Sequence, residues 1–142
     1  MSEMRSFVVY EPKKRVIHHP PFYPDRIIHH ALMNVLKPIL KRNFIHETYS
    51  SIEGQGLTQM ADKVKRMIKD DTCTYYLQMD IHHYFQSVNH DILMDKVRRL
   101  IKCEETINLV RKIVEAHSEG LAIGVFPSQY LANLYLSELD HY

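Results

Sequence analysis

"TYYLQMDIHHYFQSVNHDIL", residues 74–93, is the stretch on which the reading of this chain turns. Thr74 to Met79 is rich in strand formers, and Tyr75, Leu77 and Met79 alternate with Tyr76, Gln78 and Asp80 at the period of a strand. The mainly apolar side is expected to pack on helices, which turns Asp80 toward an open cleft. A turn follows, and Ile92, Leu93, Val97, Leu100 and Ile101 then recur at helical spacing. A carboxylate thus stands where an apolar strand runs out, with the aromatic pair Tyr84–Phe85 just beyond it. Taken alone, a strand-end aspartate is a turn former as readily as a ligand.

On the N-terminal side, residues 5–22 read as two short extended runs around a polar "EPKK" turn, a hairpin that Pro20 and Pro21 cannot continue. Asp25 is placed to cap a helix in which Ile28, Leu32, Val35, Leu36 and Ile39 repeat, and Pro38 should bend that helix or end it early. "SSIEGQG" at 50–56 is a loop, and Leu57, Met60, Ala61, Val64, Met67 and Ile68 share one face of a second helix. On the C-terminal side, Ile107, Val110, Ile113 and Val114 define another helix. "GLAIG" at 120–124 is a short extended segment framed by glycines, and Pro127 opens a last helix carrying Tyr130, Leu131, Leu134, Tyr135 and Leu139. Hairpin, helices, a strand and more helices is an α+β order rather than a regular βαβ alternation.

The 142 residues, 45% hydrophobic and 25% charged, suffice for one domain with a sizeable core. No apolar run approaches the roughly 18 residues of a membrane span, and the N-terminus lacks the pattern of a secretory signal. Only Cys73 and Cys103 are present, far apart, so reduced thiols and a cytoplasmic location are the expectation. Net charge is only +1, but its distribution is uneven. Residues 1–45 hold eight Lys/Arg against three acids, a balance of +5, and the remainder holds ten against fourteen, or −4. A basic first third suits contact with phosphate, and solvated surface charge explains it equally well.

Three His-His pairs, His18-His19, His29-His30 and His82-His83, invite a metal reading. Neighbouring side chains point apart on a strand and by about 100° on a helix, so such a pair rarely offers two ligands to one ion. Asp70-Asp71 lies between a helix and the expected strand, where a solvated turn is the better reading. No His-x-x-x-His, Cys-x-x-Cys or Walker-type glycine loop occurs; "GQGLTQ" lacks the lysine it would need.

Two longer stretches say more together. "YYLQMDIHHYFQSVNHDIL" (75–93) resembles the first carboxylate motif of reverse transcriptases, in which a strand ends in Asp and is followed by a turn with an aromatic and then a helix. "GLAIGVFPSQYLANLYLSELDHY" (120–142) resembles their second motif, which runs from a glycine-framed turn into a helix. Upstream, residues 13–56 are similar to the fingers of bacterial retroelement polymerases, with an Arg-bearing hairpin before a "DR-x-x-HHAL" helix and a glycine-containing loop. Group II intron and retron enzymes usually carry Gln-Gly-x-x-x-Ser-Pro in the second motif. Ile123-Gly124-Val-Phe-Pro-Ser128-Gln129 is more similar to diversity-generating retroelement enzymes, which copy a template RNA with errors at adenines.

The resemblance implies an RNA-directed DNA polymerase, a nucleotidyltransferase adding deoxynucleotides to a DNA primer on an RNA template. Residues 1–72 would be fingers and 73–142 a partial palm, helix-rich, with a short N-terminal hairpin and a palm strand. Asp80 would be the first catalytic carboxylate of a two-Mg²⁺ site, and the carbonyl of Ile81 would join the metal shell. Lys14 and Arg15 would contact the triphosphate, and Phe85 would lie under the incoming sugar and exclude a 2′-hydroxyl. Ile123 and Gly124 would lie against the nascent base pair, with Ser128 and Gln129 near the template. Gln86 and Ala122 depart from residues common in relatives. No Tyr-x-Asp-Asp hairpin follows the second motif and no thumb is present, so the metal site is incomplete and the isolated chain is expected to be inactive. The implied partners are an RNA template, a DNA primer, a dNTP and an accessory protein of the element, without a membrane. Self-association through an unpaired palm edge is a further expectation. A non-catalytic nucleic-acid-binding module of the same shape, or an intron- or retron-type enzyme, are the alternatives.

Overall fold

The computed structural model describes residues 1–10, 13–70 and 72–142. Strands β1 (Arg5–Val9) and β2 (Arg15–His19) form an antiparallel hairpin in which Val8 faces Val16 and Arg5 faces His19. Pro20 lacks the N–H that a longer ladder would need, and β2 ends before it. Glu11 and Pro12 of the expected turn lie outside the described residues. The hairpin stands off the core, with Phe7, Val8 and Val16 all exposed. One backbone bond ties it down: the His18 N–H donates to the Ile123 carbonyl at 2.7 Å.

Helix α1 (Ile27–Lys41) begins out of a wide helical turn, Phe22–Arg26, in which the Arg26 N–H donates to the Pro21 carbonyl at 3.2 Å. Asp25 does not cap α1, contrary to expectation. Capping requires a residue outside the helical region, whereas Asp25 is already inside the coiled turn. Its carboxylate is instead buried and accepts the Ser2 N–H at 2.7 Å, which tethers the N-terminus to the start of α1. Nor does Pro38 end the helix early, since α1 runs on to Lys41. The acceptor that Pro38 leaves free belongs to Asn34, an exposed residue whose carbonyl water can satisfy.

Helices α4 (His90–Leu100), α5 (Glu104–Val114) and α6 (Phe126–Asp140) complete the core with α1. Asn89 caps α4, its side chain accepting the Ile92 N–H at 3.0 Å. Met33, Leu36 and Leu40 of α1 and Leu93, Met94 and Val97 of α4 belong to one cluster, with α6 packed against both helices. Because α6 is covered from several sides, Tyr130, Leu131, Ala132 and Leu134 are all buried, whereas Leu139, expected on its apolar face, is exposed. Residues before and after position 72 therefore share a core.

Two elements stand outside it. Helix α2 (Leu57–Ile68) forms as its spacing predicts but buries none of its residues. The palm strand expected at Thr74–Met79 does not form: the segment is irregular, with Tyr75 95%, Tyr76 92% and Leu77 80% exposed. A strand requires a neighbour for its N–H and C=O groups, and the two strands among the described residues pair only with each other. The expected packing of Tyr75, Leu77 and Met79 on helices is corrected with it. The class is α+β, helices with one small antiparallel hairpin. Among the described residues no helix is long and apolar enough to cross a membrane.

Candidate functional site

Two glycines shape the site. Gly120 has φ +60°, and a Cβ there would lie 2.0 Å from the Phe85 carbonyl oxygen. Its absence lets the Leu121 N–H reach that oxygen at 2.7 Å, and His90 Nε2 donates to the Gly120 carbonyl at 2.6 Å. Gly124 has φ +100°, and a Cβ there would come within 2.5 Å of the His18 carbonyl oxygen and 2.6 Å of Ile17 Cγ2. The segment between these glycines is thus pressed on one side against Phe85 and on the other against β2.

Phe85 sits on the one-turn helix α3 (Tyr84–Ser87), which His83 enters in the left-handed region at φ 51°. Tyr84 pins α3 to the core by donating to the Ala132 carbonyl at 2.6 Å. Burial, with Tyr135 and Asp140 adding to it, pushes the Tyr84 hydroxyl well above the usual tyrosine range, so it stays a donor. The aromatic pair divides its work: Tyr84 anchors, and Phe85, in edge-to-face contact with it and packed against the core, lines the cleft.

The result is a cleft of about 550 Å³ lined from three distant parts of the chain. The hairpin contributes Lys13, Lys14, Arg15 and His18; residues 80–86 contribute Asp80, Ile81, His82, His83 and Phe85; the later loop contributes His117, Leu121 and Ile123. Lys14, Arg15, Asp80, Ile81, Phe85 and Ile123, six residues picked out from sequence, therefore meet in one place. Asp80 is exposed and is the one carboxylate among the described residues of the lining. Three permanent cations face it, so the cleft favours an anion.

The remaining candidates lie elsewhere. Gly124 sits behind the loop against β2, where its role is close packing. Ser128 is buried and its backbone N–H donates to the Val125 carbonyl. Gln129 is half-buried and donates to Ser50 Oγ at 2.9 Å, while Asn133 donates to the Ser50 carbonyl at 2.9 Å, so α6 holds the 50–56 loop. Asp70 accepts from the Thr72 N–H and hydroxyl at 3.0 and 2.7 Å, the turn expected there; Asp71 lies outside the described residues. Cys73 and Cys103 are free thiols.

Sequence reasoning missed His18 and His117. Their Nε2 atoms lie 3.2 Å apart, across 99 residues of chain. No local spacing signals such a pair, because its partners come from elements joined only in the fold.

One carboxylate and the neighbouring Ile81 carbonyl do not approach the octahedral oxygen shell that Mg²⁺ demands. Among the described residues no group of three or more His, Cys, Asp or Glu side chains is arranged to hold a metal ion. The residues present do not fit a two-ion centre.

No family model matches the chain. It is 29% identical over 150 residues to Protein YkfC of Escherichia coli (strain K12), covering 94% of this chain and 39% of that protein. It is 27% identical over 128 residues to the uncharacterized 91 kDa protein in cob intron of Schizosaccharomyces pombe, covering 83% of this chain and 16% of that one. The chain spans well under half the length of either relative.

Proposed function

We propose that this chain is the fingers and first palm portion of a retroelement RNA-directed DNA polymerase, and that its cleft receives the incoming deoxynucleotide. The observation that carries the reading is the meeting of Lys14, Arg15, Asp80, Ile81, Phe85 and Ile123 in one cleft. Lys14 and Arg15 supply a point charge and a planar fork for the phosphates. Phe85 offers a flat apolar floor for the sugar, and Ile123 an apolar wall for the base. Asp80 is the carboxylate that a catalytic centre would use. With a single such group, the described residues bind and orient a nucleotide, and no transfer step is assigned to them. The diversity-generating type is preferred on Ile123-Gly124. The relative whose name places it in an intron speaks for the intron-borne alternative.

A second reading, a binding module without catalysis, is favoured by the excess of cations over that lone carboxylate. One experiment separates the two. A labelled DNA primer on an RNA template is titrated with the chain, and primer extension is followed for the chain and for its full gene product. The polymerase reading expects extension by the full product, abolished by Asp80→Ala, and none by the isolated chain. Extension unchanged by Asp80→Ala overturns the role of Asp80 and with it this reading; extension absent from the full product while the chain binds the duplex overturns it in favour of the module.

A further inference from the structure

The cleft contains a feature that nucleotide recognition by Lys14 and Arg15 does not use, the contact between His18 and His117. Their rings meet edge-to-face with centroids 4.5 Å apart, joining the hairpin to the loop that precedes Gly120. His117 Nδ1 lies 2.7 Å from the Glu119 carbonyl, which can only accept, so Nδ1 carries the hydrogen. In neutral His117 the lone pair is then on Nε2, aimed at His18, and His18 Nε2 must donate to it. One further proton, on His18 Nδ1, leaves that bond intact and strengthens it by charge. Two imidazolium rings, each with an Nε2–H, would face each other across 3.2 Å and repel.

The surroundings decide the protonation of His18. Lys13, Lys14 and Arg15 come from the hairpin side, His82, His83 and Tyr84 from the 80–86 segment, and Asp80 is the one acid among the described residues of the lining. His90 and Glu119 act on the loop through backbone contacts. Burial, and then His117, pull His18 below the ordinary histidine range, so His18 is held neutral near pH 7. A phosphate chain would reverse that balance by bringing several negative charges among the same groups.

We propose that His18 and His117 form a proton-linked phosphate subsite: a di- or triphosphate bound in the cleft draws a proton onto the pair, so its affinity rises as pH falls. The inference rests on the phosphate-binding part of the function proposed above and not on polymerisation.

Inorganic tripolyphosphate, without metal, tests it by calorimetry on the 142-residue chain in two buffers of different ionisation enthalpy. The expected result is uptake of about one proton near pH 7, with affinity falling up to about tenfold per pH unit on going alkaline. His18→Gln and His117→Gln should each remove the uptake while circular dichroism shows the fold retained. Lys14→Ala should weaken binding several-fold and keep the uptake. Absence of binding, binding without buffer dependence, or uptake that persists in both histidine variants overturns the proposal. Proton-linked binding beside primer extension indifferent to Asp80→Ala would sink the polymerase reading alone. Extension that depends on Asp80, with no proton uptake, would sink the subsite alone.

Discussion

Gly124 sets how closely β2 and the Ile123 loop approach each other. Its left-handed backbone and the closeness of the His18 carbonyl leave no room for a methyl group. Gly124→Ala should cost on the order of 2 kcal/mol in urea denaturation and should push β2 off the loop. Tyr84 offers a second test. Its hydroxyl titrates above the tyrosine range, so the fold holds the neutral form. The stability this gives is whole below the unfolded tyrosine pKa of about 10 and is lost as pH climbs through the higher folded value. Tyr84→Phe should cost about 1 kcal/mol at neutral pH, the worth of its bond to Ala132. It should also shrink the loss of stability between pH 9 and 11 in paired urea melts (about one to two pH units around the unfolded value). An unchanged alkaline slope would mean that Tyr84 is not the titrating group.

Helix α2 and the 72–83 segment show what periodicity can and cannot say. The spacing of Met60, Val64 and Met67 correctly yields a helix, yet Leu57 and Ile68 remain 76% and 75% exposed because nothing described covers that face. Alternation in Thr74–Met79 is equally regular, but a strand is a property of a pair, and its partner is missing among the described residues. Both elements should therefore open at little cost. Chymotrypsin should cut first at Tyr75, Tyr76 or Leu77, before any site in α4 or α6, as mass spectrometry of a short digest would show. The same exposed residues should drive association, with light scattering rising with concentration. Tyr75→Ser with Leu77→Ser should suppress that rise and leave stability within about 0.5 kcal/mol, since these side chains contact little. Scattering unaffected by the pair of changes would place the association elsewhere.

The molecule as a whole is a helical core with a basic hairpin hung from it by the Ile123 loop. Truncating the core should be felt everywhere: Leu93→Ala, fully buried, is expected to cost about 2–5 kcal/mol in thermal or urea melts. On the binding-module reading proposed above, the hairpin should carry nucleic-acid binding. Lys14→Ala or Arg15→Ala should weaken binding of an RNA–DNA duplex and reduce the slope of log affinity against log salt by about one each, as anisotropy titrations would show. An unaltered slope would move the phosphate contact off the hairpin.

Helix positions, the hairpin and its proline stop and the glycine-framed turn were legible in the chain because each rests on local spacing or on a short motif; Lys14, Arg15, Asp80, Phe85 and Ile123 were singled out by resemblance, and the fold brings them to one cleft. The strand at Thr74–Met79, the Asp25 cap and an early end of α1 at Pro38 do not appear because each outcome depends on surroundings: a missing partner strand, a turn already coiled, an exposed carbonyl. The burial of Ser128, the engagement of Gln129 with Ser50 and the His18–His117 contact belong to the tertiary structure alone. Side chains as far as 99 residues apart meet only when the core brings their elements together, and no local pattern records that closure.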